Sequence, residues 1–249
     1  MVKRINWKSV AAVFALALLV VGIVFVVWAS DASAPTDVAI SALTSDAQVT
    51  VSEENGWLVF RPTGNPQTET GFIFYPGGKV DYRAYAPALR QIAAKGFFVV
   101  VTPAPLNLAF FDVNAAARIQ AAYPEIQNWF VGGHSLGGVA ASSYAAGHSE
   151  IKGVIFWASY PANDALKTNG TKVISIYGTN DGLAGGGKID ESKALLPADA
   201  QFVAIEGGNH AQFGSYGPQA GDNEATISPE QQWAQAAEAT AMFLESASR

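Results

Sequence analysis

Residues 129–138 read Trp129-Phe130-Val131-Gly132-Gly133-His134-Ser135-Leu136-Gly137-Gly138, and a run of mostly small residues continues to Ala146. The first three are bulky and apolar, as a buried strand requires. The stretch from Gly138 is rich in alanine and suits a helix lying close to a sheet. Between them stands Gly133-His134-Ser135-Leu136-Gly137, a Gly-x-Ser-x-Gly spacing. A strand that turns at once into a helix has no room for side chains at the two outer positions, and glycine removes the collision. The helix N-terminus then aims its dipole and free N–H groups at negative charge forming beside the serine. Glycine fills 24 of 249 positions, so this spacing arises by chance ~0.15 times in such a chain. The spacing between a strand and a small-residue helix is what makes Ser135 the candidate nucleophile.

Outward from this turn the chain alternates. Phe72–Tyr75, Phe97–Val101, Val154–Trp157, Val173–Tyr177 and Phe202–Ile205 are short apolar runs of the kind covered on both faces. Gln48–Ser52 and Trp57–Arg61 flank Glu53-Glu54-Asn55-Gly56 and read as an antiparallel hairpin on an Asn-Gly turn. A helix is predicted over Tyr82–Lys95, with Asp81 as N-cap, Tyr85, Leu89 and Ile92 on one face, and Gly96 as its stop. Ser228-Pro229-Glu230-Gln231 is a capping box that opens a final helix bearing Trp233, Ala237, Thr240 and Leu244. Such alternation predicts an α/β fold, a mostly parallel sheet with helices on both faces.

A serine nucleophile needs a base, and the base needs an orienting carboxylate. The chain has three histidines, His134, His148 and His210. His134 precedes the nucleophile and is expected to point elsewhere, and His148 ends the helix after it. His210, in Gly207-Gly208-Asn209-His210, follows the run Phe202–Ile205. Asp181, in Gly178-Thr179-Asn180-Asp181-Gly182, follows the run Val173–Tyr177. Both therefore fall where open α/β sheets place their sites, at carboxyl ends of strands. Asp164, Asp190 and Asp222 follow no predicted strand directly. Asn-Asp-Gly is also strong turn chemistry, so Asp181 has a purely local reading as well. For an oxyanion, the N–H of Leu136 is the first expected donor. The second is expected from Tyr75-Pro76-Gly77-Gly78-Lys79, with Gly78 preferred and Lys79 the alternative.

These four motifs, from about Gly71 to Leu244, resemble the small, capless α/β-hydrolases related to the dienelactone hydrolase group. The resemblance implies the α/β-hydrolase fold, an eight-stranded or slightly smaller sheet, and an esterase-type Ser135–Asp181–His210 site. Dienelactone hydrolases proper carry a cysteine nucleophile, and this chain has no cysteine. The expected reaction is hydrolysis of a carboxylic ester through an acyl-enzyme, with no metal or organic cofactor. Acyl transfer to another alcohol, or a surface-tethered binding domain without catalysis, are the competing classes.

The formal charge of -6, with no basic run beyond the first residues, argues against a nucleic-acid partner. Absence of cysteine excludes thiol catalysis, disulfides and Cys-ligated metals, and so few histidines disfavour a His-rich metal centre. From Ser9 to Ser30 no charge appears, and a helix of that length spans the roughly 30 Å hydrocarbon core. Lys3, Arg4 and Lys8 before it place the N-terminus in the cytoplasm, and Trp7 and Trp28 suit the two interfaces. A cleaved signal is the rival reading, with Ala32-Ser33-Ala34 as the cleavage site, although Pro35 follows it directly. In either case the domain is expected outside the cytoplasm. The expected division is a basic N-terminus at 1–8, the anchor at 9–30, a small polar tether at 31–46 and the hydrolase domain at 47–249. Only a short stretch, Tyr160 to Thr171, separates two predicted strands where a lid is often inserted, so an open site for a small-molecule or surface-presented ester is expected. Its walls, or equally the core, are expected to draw on Leu106 to Phe111, Tyr160 and Phe213.

Overall fold

The computed structural model describes residues 7–64 and 68–249. The strands among them are β1 (Val49–Glu54), β2 (Trp57–Pro62), β3 (Thr70–Tyr75), β4 (Phe98–Val101), β5 (Asn128–His134), β6 (Ile151–Trp157), β7 (Lys172–Gly178) and β8 (Gln201–Ile205). They form one sheet in the order β1-β2-β4-β3-β5-β6-β7-β8. β2 is antiparallel to β1 and β4, and every other pairing is parallel. The hairpin turns as its sequence asks. Glu54 pairs with Trp57, and Asn55 and Gly56 between them take φ of 54° and 81°, the signs a two-residue type I′ turn needs.

The helices are α1 (Trp7–Ser30), α2 (Asp37–Ser41), α3 (Ala86–Ala94), α4 (Ala115–Ala122), α5 (Leu136–Ala146), α6 (Gly186–Ser192) and α7 (Pro229–Ala247). Every residue of β3 is buried, and its side chains alternate between two cores. Phe72 and Phe74 join Leu89 and Ile92 of α3 and Phe243 of α7. Ile73 and Tyr75 join Ile119 of α4 and Ala140 and Tyr144 of α5. Helices therefore cover both faces, as the alternation implies, and the parallel strands all deliver their carboxyl ends to one edge.

The helix expected over Tyr82–Lys95 is divided. Asp81 does cap it, accepting from Arg83 N at 2.9 Å, but Tyr82–Tyr85 is a tight 3-10 turn and α3 starts only at Ala86. Pro87 has no N–H with which to continue a regular helix backward through Arg83, so it becomes a first-turn residue of a new one. Gly96, at φ 102°, ends α3. The capping box at α7 forms as read: Ser228 Oγ accepts from Gln231 N at 3.3 Å, and Gln231 Oε1 accepts from Ser228 N at 3.0 Å.

Within α1, Val10–Ser30 is 21 residues long and apolar enough to cross a membrane. Of its described side chains only that of Ala29 is buried. Residues 31–46, read above as a tether, lie along the domain. Ser33 forms a parallel bridge with Val80, Thr36 N donates to Ser215 O at 2.8 Å, Thr36 Oγ1 meets Ser215 Oγ at 2.6 Å, and Ala39 of α2 is fully buried.

Candidate active site

β5 runs to His134 and α5 begins at Leu136, leaving Ser135 alone in the turn at φ 51°, ψ −123°. A non-glycine residue held there is strained and persists only where its surroundings over-determine it. They do so here: Ser135 N donates to Trp157 O at 3.0 Å, and Ser159 Oγ donates to Ser135 O at 2.6 Å. Ser135 is half-buried and Leu136 is exposed, so the turn faces solvent. A Cβ on Gly133 would lie 2.4 Å from Tyr75 O, and one on Gly137 would lie 2.1 Å from Tyr75 O and 2.4 Å from Pro76 O. These obstacles are backbone atoms at the end of β3 and just beyond it, and cannot rotate away as a side chain could. Gly137→Ala is expected to destabilise the fold by about 3 kcal/mol, read as a lower urea midpoint. A wild-type midpoint would show that the turn is not this tightly packed.

Asp181 and His210 are brought together from loops after β7 and β8. Asp181 Oδ2 and His210 Nδ1 are 2.9 Å apart, and their side chains are 0% and 2% exposed. Asp181 Oδ1 accepts from Leu183 N at 2.7 Å and Ala184 N at 2.6 Å. With those donors fixing one oxygen, the other is aimed at the ring, and His210 holds its proton on Nδ1 facing the carboxylate. The His210 ring lies 4.5 Å, centroid to centroid, from that of His134, the residue just before Ser135. The hydrogen bonds of the site stop at His210: among the described residues none joins its ring to Ser135 Oγ. Such bonds often tighten only around substrate.

The loop after β3 separates the two oxyanion alternatives. Gly77 N donates to Tyr85 Oη at 2.9 Å and Lys79 N to Asn107 O at 2.8 Å. The Lys79 N–H is thereby committed elsewhere, whereas that of Gly78 has no partner among the described residues. A Cβ on Gly78 would meet Leu136 Cδ1 at 2.6 Å, so this peptide abuts the residue that heads α5.

The model of the alpha/beta hydrolase family matches residues 71–234. The chain belongs to that family. No curated protein matches it in sequence. Solved structures share the fold of this hydrolase at low identity. The esterase domain of a Rhodothermus marinus protein superposes with a TM-score of 0.59 at 16% identity, over 79% of this chain and 96% of that one. Est1E from Butyrivibrio proteoclasticus gives 0.58 at 13%, over 81% and 99%. A predicted CIB-like hydrolase from Thermoplasma acidophilum gives 0.57 at 14%, over 80% and 99%.

In this hydrolase several residues that the sequence reading gave no positioning role hold the others. Asp222 receives Gly182 N at 2.9 Å on one oxygen and Ala211 N at 2.8 Å on the other, and so ties the Asp181 loop to the His210 loop. Gln232 of α7, fully buried, accepts from Asn209 N at 3.0 Å and donates to Asn209 O at 2.7 Å, clamping the peptide before His210. Tyr85 Oη lies 2.9 Å from His134 Nδ1 while also accepting from Gly77 N. The wall candidates divide. Phe213 is core, stacked 5.8 Å from His134 and tilted 5.9 Å from Trp157, while Leu106, Phe110 and Phe111 are exposed. His148 lies at the far end of α5, stacked on Tyr144 and bonded to Glu150. Among the described residues no group of three or more acidic or imidazole side chains is placed to hold a metal.

His134 packs on His210 rather than pointing away, and complete burial, with the neighbouring His210 adding to it, holds its pKa well below 6.5. The unfolded chain can take up a proton near pH 6.5 that the native ring resists. Its contribution to stability is therefore complete above that pH and declines below it, by at most about 1.4 kcal/mol per pH unit. Melting His134→Asn beside the wild type at pH 7 and pH 5 tests this. The wild type should lose more stability across the interval, and parallel losses would contradict it.

Proposed function

We propose that this hydrolase is a serine esterase that cleaves a carboxylic ester through an acyl-enzyme intermediate. The observation that carries the reading is the buried Asp181–His210 hydrogen bond of 2.9 Å, whose imidazole packs 4.5 Å from the ring of His134, the residue before a serine held at φ 51° between strand and helix. Ser135 Oγ attacks the ester carbonyl while His210 Nε2 takes its proton. Charge on the carbonyl oxygen is received by the N–H groups of Leu136 and Gly78. Collapse breaks the bond to the leaving alcohol, which receives the proton from His210. Water then attacks the acyl-serine with the same imidazole as base, releasing the acid and restoring Ser135. Asp181 keeps the ring in the required tautomer and balances the transient imidazolium. Proton and charge are handled by side chains and backbone, so the mechanism calls for no cofactor.

Within the family we read the chain as one of the capless, dienelactone-hydrolase-like members, with serine standing for cysteine, on the resemblance of its four motifs. Residues 158–171, between β6 and β7, contain no helix that could serve as a lid. Two structural neighbours, the Rhodothermus domain and Est1E, support the esterase reading by fold alone. α1 is proposed as an uncleaved anchor that holds the domain outside the cytoplasm, with no nucleic-acid partner. A fluorophosphonate probe, with mass-spectrometric mapping of the adduct, tests the reading. Labelling is expected on Ser135, and a folded, unlabelled protein with no turnover across an ester panel would refute it.

A further inference from the structure

Where α1 meets the domain, it meets the loops that frame the site. Ala29 O accepts from Asn107 Nδ2 at 3.0 Å, and Lys79 Nζ sits 4.7 Å over the Trp28 ring and 3.8 Å from Asp31 Oδ2. Ser33 N donates to Lys79 O at 2.8 Å, and Asp81 N donates to Ser33 O at 3.1 Å. The loop so clasped, 77–81, is the one whose Gly78 abuts Leu136. One contact reaches further down the helix: the Phe25 and Phe111 rings lie 6.1 Å apart, edge to face. Phe25 is five residues before the end of the Val10–Ser30 segment, roughly 7.5 Å back along the axis at 1.5 Å per residue. A side chain that touches Phe25 from the domain therefore lies within the outer part of the leaflet, below the hydrocarbon boundary, once α1 spans it.

Phe111 has apolar company there. Leu106, Phe110, Phe111 and Leu136 are 37%, 47%, 55% and 39% exposed. Outside α1, the other large apolar side chains so exposed among the described residues are Val38, Ile40 and Met242. Clustering of exposed apolar groups at one rim marks a contact surface. Here the rim is continuous with the one helix among the described residues that is apolar enough to cross a membrane, and exposed Phe and Leu on one face bury into the headgroup and acyl boundary of a bilayer.

We infer that the Leu106–Phe111 rim and Leu136 rest in the lipid leaflet on the C-terminal side of α1, so that the site draws its substrate, a long-chain lipid ester, directly from that leaflet. This rests on the anchored serine-esterase reading above. The ester enters with its acyl chains still in lipid and its carbonyl lifted to Ser135; the bonds made and broken are those already described.

The absence of native cysteine permits a clean test on the full chain. Phe110→Cys and Met242→Cys are each labelled with an environment-sensitive fluorophore in phosphatidylcholine vesicles. The label at 110 is expected to shift to the blue and to be quenched by spin-labelled lipid, and the label at 242 is not. Equal behaviour at the two positions overturns the docking. In parallel, turnover of p-nitrophenyl acetate is compared with that of a long-chain fluorogenic ester embedded in the same vesicles. Changing Leu106→Ser, Phe110→Ser and Phe111→Ser together is expected to lower the embedded-to-soluble rate ratio by about 10-fold or more. An unchanged ratio overturns the proposed substrate. Lipid contact at 110 with neither ester hydrolysed sinks the esterase reading instead, and with it the substrate class, while the docked face stands.

Discussion

Ser135→Ala is expected to lower ester turnover by about 10⁴-fold or more and to abolish fluorophosphonate labelling, with the melting temperature little changed. Serine and alanine carry the same Cβ, so the substitution removes the nucleophile and leaves the strained turn as it was. Ser135→Gly is the informative companion. It removes the nucleophile and the Cβ together, relieving a conformation that costs a side chain about 1–3 kcal/mol. Part of that gain is returned because glycine frees the unfolded chain by roughly 0.5–1 kcal/mol. Ser135→Gly should therefore melt above Ser135→Ala while being as inactive. Turnover by either variant within about tenfold of the wild type, or a glycine variant that melts below the alanine one, would show that the φ of 51° is not the held, reactive geometry described.

Asp181→Asn is expected to reduce kcat by about 10⁴-fold while the fold persists. Two backbone donors, Leu183 N and Ala184 N, already point at Oδ1. The amide of asparagine must answer them with its oxygen, because its NH₂ group would oppose donors with donors. That leaves NH₂ facing His210 Nδ1, which must then accept, so the ring proton moves to Nε2. An imidazole with its proton there cannot take one from Ser135. The outcome is a folded protein with a base in the wrong tautomer. A loss of less than about tenfold would mean that Asp181 shapes its turn and does little else.

The parts of the molecule that could be read from the sequence share a physical character. β3 to β7 announce themselves because parallel strands covered on both faces are apolar at nearly every position, while β8, at the sheet edge with only Ile205 buried, carries the same kind of apolar run. Ser135, Asp181 and His210 follow from the same strands, since each stands in a turn directly after one. α4 did not stand out: Ala115–Ala122 is mostly alanine with Ile119 alone as a large apolar residue, so no periodic stripe is visible. α6 opens on Gly186-Gly187, against helix propensity. Tyr85, Asp222 and Gln232 act through partners that folding brings near, and nothing in their neighbours along the chain signals those contacts. Residues 31–46 look like a linker because they are small and polar, yet Thr36, Ser33 and buried Ala39 bind them to the domain through a few well-placed groups.

If α1 roots the protein in a membrane, as proposed above, that last feature limits where it can act. A free strand of about 16 residues could pay out some 50 Å of line, letting a catalytic head sweep a dome above its root and cut targets well away from the lipid. With the strand fastened down the working radius shrinks to almost nothing, and the head travels only as the root drifts sideways. Encounters become those of two bodies in a plane, set by lateral diffusion and by how crowded the surface is. Ser33→Pro, which removes the N–H given to Lys79 O, together with Thr36→Val, which removes the hydroxyl facing Ser215, would loosen the strand and restore the dome, which makes this short segment the determinant of range.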